Sequence, residues 1–174
     1  RIALNKKVIS ISLRKRTTPK KNFYLKLVNL KLVNLKRDKP QFKNLKYKKI
    51  LSYLSKIDNS RSDVALISDK KILETGTSNL FFIKDQKFYT AKKNYYAGHT
   101  LKFFKTKIKN IFKKDILIDE LMEYDEIILV GSGKGVASVK SINQVGWKRR
   151  NLKQFKILSN YYREIIKKCN PYKF

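Results

Sequence analysis

The sequence predicts an α+β fold, a mostly antiparallel sheet with helices packed against it. Short apolar runs separated by small and polar residues occupy 63–75, 79–91 and 126–142, and each pair reads as a hairpin or a strand–bend–strand unit. Three longer stretches, 44–57, 100–114 and 151–169, instead place apolar residues at helical spacing. The two kinds of segment are mixed rather than strictly alternating, which favours α+β over a parallel doubly wound sheet.

The first strand is expected where Ile9, Ile11 and Leu13 alternate with Ser10, Ser12 and Arg14. "TTPKKN" is a turn, and "FYLKLVNLKLVNLKR" a strand carrying LKLVN twice in tandem, too short a repeat for a solenoid. Pro40 ends it, since proline has no ladder donor. Over 44–57, Tyr47, Ile50, Leu51, Leu54 and Ile57 form one helical stripe. "DVALIS" and "ILET" pair across a short turn, and "NLFFIKDQKFYTA" forms a second hairpin. "KNYYAGH" is a loop leading into a helix over 100–114, with Leu101, Phe104, Ile108, Ile111 and Phe112 on one face and Thr100 as its cap. "DILI" is a short strand and "DELMEYD" a helical turn. "EIILVGSGKGVASVKSI" is strand, glycine bend and strand, and the last helix carries Phe155, Leu158, Tyr162 and Ile166.

Composition narrows the function. The 174 residues suffice for one domain with a core, and 42% hydrophobic content rules out a disordered tail. One cysteine, Cys169, excludes a disulfide framework and a cysteine zinc site, and the single His99 excludes a histidine-rich metal site. No run reaches membrane-span length and no signal-peptide pattern opens the chain, so a cytoplasmic protein is expected. The net charge of +29 invites a basic nucleic-acid-binding domain as the reading from another class, but the lysines are scattered rather than gathered. The chain starts on Arg1 close to a strand-like pattern, as expected of the later part of a longer protein.

Four places carry candidate chemistry. Glu74 ends an apolar strand just before the turn formers "TGTSN" and a second apolar strand. "GSGKG" is no P-loop, because Ile128 stands where the first glycine belongs and Gly135 where Ser or Thr should follow the lysine; what remains is a bend of exposed N–H groups suited to an anion. Gly98, His99 and Thr100 open a helix, and a helix N-terminus favours phosphate. Among the lysines, Lys48 and Lys49 align with polar positions, whereas Lys43 and Lys46 align with apolar ones. An amine beside an apolar face can lose its proton and act as a nucleophile, and spacing leaves both candidates.

In order along the chain, "NLKYKKILSYL", "ILETGTSNLFFI", "YTAKKNYYAGHTLKFF" and "YDEIILVGSGKGVASVKSI" resemble the class IV aminotransferase family. These are pyridoxal-phosphate enzymes that include D-amino-acid aminotransferase, branched-chain aminotransferase and aminodeoxychorismate lyase. The resemblance implies the fold of the family's C-terminal domain and pyridoxal 5'-phosphate as cofactor. It puts the cofactor-holding lysine, which also moves the substrate Cα proton, at Lys46. It sets Glu74 against the pyridine nitrogen, and gives His99, Thr100, Ser132 and Gly133 the phosphate and the substrate carboxylate. Departures accompany it: His99 and Leu101 replace the usual Ile and Arg, Ser132 a Thr and Ser138 a Pro, and Lys134 puts a bulky cation where the family often has a small residue, with a change of substrate choice as its expected effect. Residues 1–40 are expected to be strands near the junction with a missing N-terminal domain, and 41–174 the cofactor-binding domain. The compact "ETGTSNLFF" and the short C-terminal end lean towards lyase chemistry, aminodeoxychorismate giving 4-aminobenzoate and pyruvate, with branched-chain-type transamination as the alternative. A small amino substrate and a homodimer of the full-length protein are the expected partners, without nucleic acid or membrane.

Overall fold

The computed structural model describes residues 2–4, 7–11, 28–42 and 47–168. The expected strand residue Leu13, the turn at 17–22, the first part of the strand from Phe23, the helix start at 44–46 with Lys46, and Lys43 and Cys169 lie outside them.

Strands β1 (Ile2–Leu4) and β2 (Ile9–Ile11) pair with each other in a small separate sheet. Everything else is built on one ten-stranded sheet. Its strands are β3 (Val28–Asn34), β4 (Ser62–Ser68), β5 (Lys71–Thr75), β6 (Asn79–Lys84), β7 (Lys87–Ala91), β8 (Ile111–Lys114), β9 (Ile116–Leu117), β10 (Glu126–Gly131), β11 (Gly135–Ile142) and β12 (Trp147–Lys148). The order is β8-β7-β6-β10-β11-β3-β4-β5-β9, with β12 on β11. The pairings β11–β3, β3–β4 and β7–β8 are parallel and the others antiparallel, so the sheet is mostly antiparallel, as the sequence predicts, with three parallel pairings it does not foresee. Two hairpins close through two-residue turns, Asp69–Lys70 and Asp85–Gln86, in which both residues take positive φ. That backbone twist matches the twist of the flanking strands.

Four strands separate β5 from β6 in the ladder, yet the chain joins them directly and the Thr75 N–H donates to the Ser78 carbonyl at 2.8 Å. The sheet therefore curls until its two arms meet. Its inner face is the main core, where Leu30, Leu32, Ile72, Leu80, Phe82, Leu129, Val139 and Trp147 meet. Alternation sends the neighbouring residues outward: Phe81, Ile83, Ile128 and Val130 lie under helices α2 (His99–Lys107) and α3 (Lys153–Lys168) through Leu101, Phe104, Phe155 and Leu158. On the other arm, Ile50 and Leu54 of α1 (Lys48–Leu54) cover Val33, Val64 and Leu66. Glu126, itself buried, accepts the N–H groups of Gln154 and Phe155 and caps α3.

Three sequence expectations are corrected. The helix over 100–114 ends at Lys107, and Ile111–Lys114 instead form β8, which pairs in parallel with β7. The free edge of β7 offers backbone bonds there, and β-branched Ile108 and Ile111 suit a strand better than a helix. Thr100 caps nothing, since the N-cap is Gly98 and no side chain bonds across it. Within the described residues α1 covers Lys48–Leu54 rather than running on to Ile57, and Leu51 of its expected stripe is exposed, as is Ile166 of the α3 stripe.

Candidate active site

The sheet brings three chain segments to one cavity of about 590 Å³. The bend between β5 and β6 supplies Glu74 and Gly76–Asn79, the start of α2 supplies Gly98, His99 and Thr100, and the turn after β10 supplies Gly131, Ser132 and Gly133; Arg37, Tyr47, Leu51, Leu54, Tyr96 and Val130 complete the wall. Pairing of Val130 with Asn79 puts the β10 turn beside the bend. The approach needs glycine: a Cβ on Gly131 would lie 2.6 Å from the Ser78 hydroxyl oxygen, and one on Gly98 would lie 3.0 Å from Asn79 Oδ1.

Glu74 is buried, 3% exposed. Its Oε1 accepts both available bonds, from Arg37 Nε at 3.0 Å and from the Tyr96 N–H at 3.2 Å. Among the described residues its Oε2 accepts none. Burial pushes the carboxyl above the usual glutamate value, against the opposing charge and hydrogen bond of Arg37 and the N–H of Tyr96. The site thus holds a carboxylate that favours a cationic partner on its open side.

Asn79, 4% exposed, fixes the neighbouring wall. Its Nδ2 donates to the Tyr96 carbonyl at 2.7 Å and its Oδ1 accepts the Gly98 N–H at 3.0 Å. That loop delivers the N-terminus of α2 to the cavity, where the N–H groups of His99, Thr100 and Leu101 precede the first helical bond, from Lys102 N–H to the Gly98 carbonyl. Thr100 is buried at the cavity wall and its hydroxyl has no partner among the described residues, whereas His99 is exposed. Ser132 and Gly133 are exposed at the tip of the three-residue β10–β11 turn. This set of donors suits two anionic groups, one at the helix and one at the turn.

Glu74, His99, Thr100, Ser132 and Gly133 therefore converge on one cavity, whereas Lys46 lies outside the described residues. Lys48 and Lys49 are exposed. Lys134 does not line the cavity: its ammonium pairs with Asp63 at 3.1 Å. Sequence reasoning missed Arg37, Asn79 and Tyr96. The Asn of "TSNLFF" was visible as a turn former, but no periodicity links Arg37 to an acid 37 residues on. Among the described residues no group of His, Cys, Asp and Glu could hold a metal ion, and no helix is long and apolar enough to cross a membrane.

A curled mixed sheet thus places a buried carboxylate, a helix N-terminus and an N–H-rich turn around one cavity, an arrangement chemically suited to an anionic ligand carrying a basic centre. The chain belongs to the class IV aminotransferase family, whose pattern matches residues 4–142. Its fold is shared with 4-amino-4-deoxychorismate lyase from Pseudomonas aeruginosa, at TM-score 0.72 and 16% identity over 90% of this chain and 61% of that one. The branched-chain aminotransferase from the thermophilic archaeon Thermoproteus uzoniensis, solved with norvaline, aligns at TM-score 0.69 and 16% identity, covering 83% and 53%. The branched-chain amino acid aminotransferase from Thermobaculum terrenum in its PLP form aligns at 0.70 and 16%, covering 88% and 54%. The chain thus spans little more than half the length of the solved structures it matches. No curated protein sequence matches it.

Proposed function

We propose that this chain is the cofactor-bearing part of a pyridoxal-phosphate enzyme that acts on a small amino substrate, with 4-amino-4-deoxychorismate lyase-like elimination as its reaction. The observation that carries the reading is Glu74, buried beside the cavity with one oxygen held by Arg37 and Tyr96 and the other unpartnered among the described residues. The residues fit the cofactor chemically: an open carboxylate oxygen for a protonated ring nitrogen, helix N–H groups and the Thr100 hydroxyl for a phosphate, and glycines that keep the walls free of side chains. When bound, pyridoxal phosphate supplies an electron-poor ring that takes up the electrons left when a substrate loses its Cα proton.

The chain's own residues do the rest. Glu74, with Oε1 already held by Arg37 and Tyr96, would offer Oε2 to a protonated ring nitrogen of the cofactor. His99, Thr100 and Leu101 would hold the phosphate through backbone N–H groups, and Thr100 would add its hydroxyl. Ser132 and Gly133 orient the substrate carboxylate through hydroxyl and N–H donors. Lys46 would hold the cofactor through its amine and would move the substrate's Cα proton. Leu51, Leu54 and Val130 give the cavity an apolar side, which favours branched-chain-type transamination as the second reading.

The test uses the full gene product. With pyridoxal phosphate it develops cofactor absorbance, and borohydride reduction followed by peptide mapping places the label on Lys46; a label on Lys43 reassigns the amine, and no label overturns the reading. Pyruvate release from aminodeoxychorismate without an added keto acid marks the lyase. Amino transfer that needs a keto acid marks the transaminase. Glu74→Gln keeps the cofactor but slows Cα proton loss by about 100-fold or more, because its bond matters most as charge develops.

A further inference from the structure

We infer that Lys134 is a positioning residue that, through the buried Asp63, sets the Ser132–Gly133 turn at the mouth of the cavity; the inference rests on the reading of that turn as the seat of the substrate's carboxylate. Lys134 sits on the turn itself, one residue after Gly133, but its side chain leaves the cavity. Its Nζ donates to the Ser62 carbonyl at 2.8 Å and pairs with Asp63 Oδ2 at 3.1 Å. The Lys134 side chain is 10% exposed and that of Asp63 is fully buried.

Asp63 is the shared anchor of two cavity walls. Its Oδ1 accepts the Val64 N–H at 2.8 Å, and its Oδ2 accepts the hydroxyls of Thr75 and Thr77 in the bend that follows Glu74. The ammonium of Lys134 completes the set from the opposite turn. The bend that presents Glu74 and the turn that presents Ser132 are thereby fastened to one carboxylate.

The turn needs such a fastening. Gly131, Gly133 and Gly135 alternate along it, and glycine gives the backbone the most freedom to lose. A Cβ on Gly133 would meet nothing within 4 Å, and the Ser132 hydroxyl has no partner among the described residues. The Lys134 side chain is the link that reaches across to β4. A lysine with its charge in the cavity would change which substrate binds; a lysine with its charge on Asp63 fixes where the N–H groups point.

Lys134→Met leaves Asp63 buried without its counter-charge, so the neutral pair Lys134→Met with Asp63→Asn is prepared beside it, together with Lys134→Arg. In the cofactor-free chain, amide hydrogen exchange at 132–135 is expected to quicken at least tenfold in the neutral pair, while exchange at 99–101 is unchanged. In the full gene product, KM for the amino substrate is expected to rise on the order of 10- to 100-fold in Lys134→Met, with kcat and pyridoxal-phosphate affinity changed less than threefold because Asp63 still accepts the Thr75 and Thr77 hydroxyls. Lys134→Arg restores both. A folded neutral pair with wild-type exchange at 132–135 overturns the inference, and so does an equal loss of cofactor affinity and of substrate affinity. Wild-type protein that binds no pyridoxal phosphate overturns the functional reading instead, and the exchange experiment then still decides whether Lys134 holds the turn.

Discussion

At the scale of single residues, the pair Arg37–Glu74 sets the charge of the cavity wall at the β5–β6 bend. The guanidinium is 14% exposed and the carboxylate 4%, so solvent screens the pair little. Burial lifts the Glu74 carboxyl above its ordinary value while Arg37 opposes the lift. A raised carboxyl favours the protonated form in the folded state. Its contribution to stability is therefore full below the ordinary glutamate range and is lost as pH rises through the raised value. Arg37→Met removes the opposition, so Glu74 should titrate at higher pH still, as read from its side-chain carboxyl carbon by NMR. The variant should lose about 3 kcal/mol at neutral pH and less near pH 4, where the carboxyl is protonated in both proteins. An unchanged titration, or an equal loss at both pH values, would contradict the role given to Arg37.

At the scale of elements, the close approach of the β5–β6 bend to the β10 turn is a prediction in itself. Gly131→Ala puts a methyl group 2.6 Å from the Ser78 hydroxyl oxygen and 3.2 Å from the Thr77 carbonyl oxygen, and the second is backbone that cannot swing aside. Overpacking of this kind costs about 1–3 kcal/mol, measurable as a lower urea midpoint at constant slope. Helix α2 is tested by Phe104→Ala. The ring is fully buried, with edge contact to Phe81 at 6.2 Å and a tilted contact to Tyr162 at 6.1 Å. Its loss should cost about 3–5 kcal/mol and loosen the N-terminus that α2 presents to the cavity. A cost under about 1 kcal/mol would mean that α2 is not held by this face.

At the scale of the whole molecule, the curled sheet joins both arms around one interior, so the arms should unfold together. Trp147, the single tryptophan, is fully buried in that interior and donates its indole N–H to the Tyr124 carbonyl at 2.9 Å. Its emission and the far-UV circular dichroism should therefore report one coincident denaturation transition; separate midpoints would show that the arms melt independently. The net charge of +29 has a different reach. Spread over the surface, it should give weak binding to any nucleic acid that disappears with added salt, without preference for sequence. Sequence-selective binding that survives salt would favour the basic-domain reading over the enzyme.

Local patterns carried much of this architecture. Alternating apolar residues marked the hairpins, because strand periodicity is a property of neighbouring residues, and the order Glu–turn–Asn-Leu-Phe singled out the acid that lines the cavity. The helix at 100–114 misled because helical spacing in the lysine-rich 108–114 run continues unbroken, while the edge of β7 that claims Ile111–Lys114 is 20 or more residues away in the chain. Arg37 on Glu74, Asn79 on the 96–98 loop and Lys134 on Asp63 join residues that no spacing rule relates. Their meeting depends on strand order, and strand order is settled by which apolar faces close around the common interior. The residue types of the site were written in the chain, whereas the partner of each charge followed from how the sheet curls.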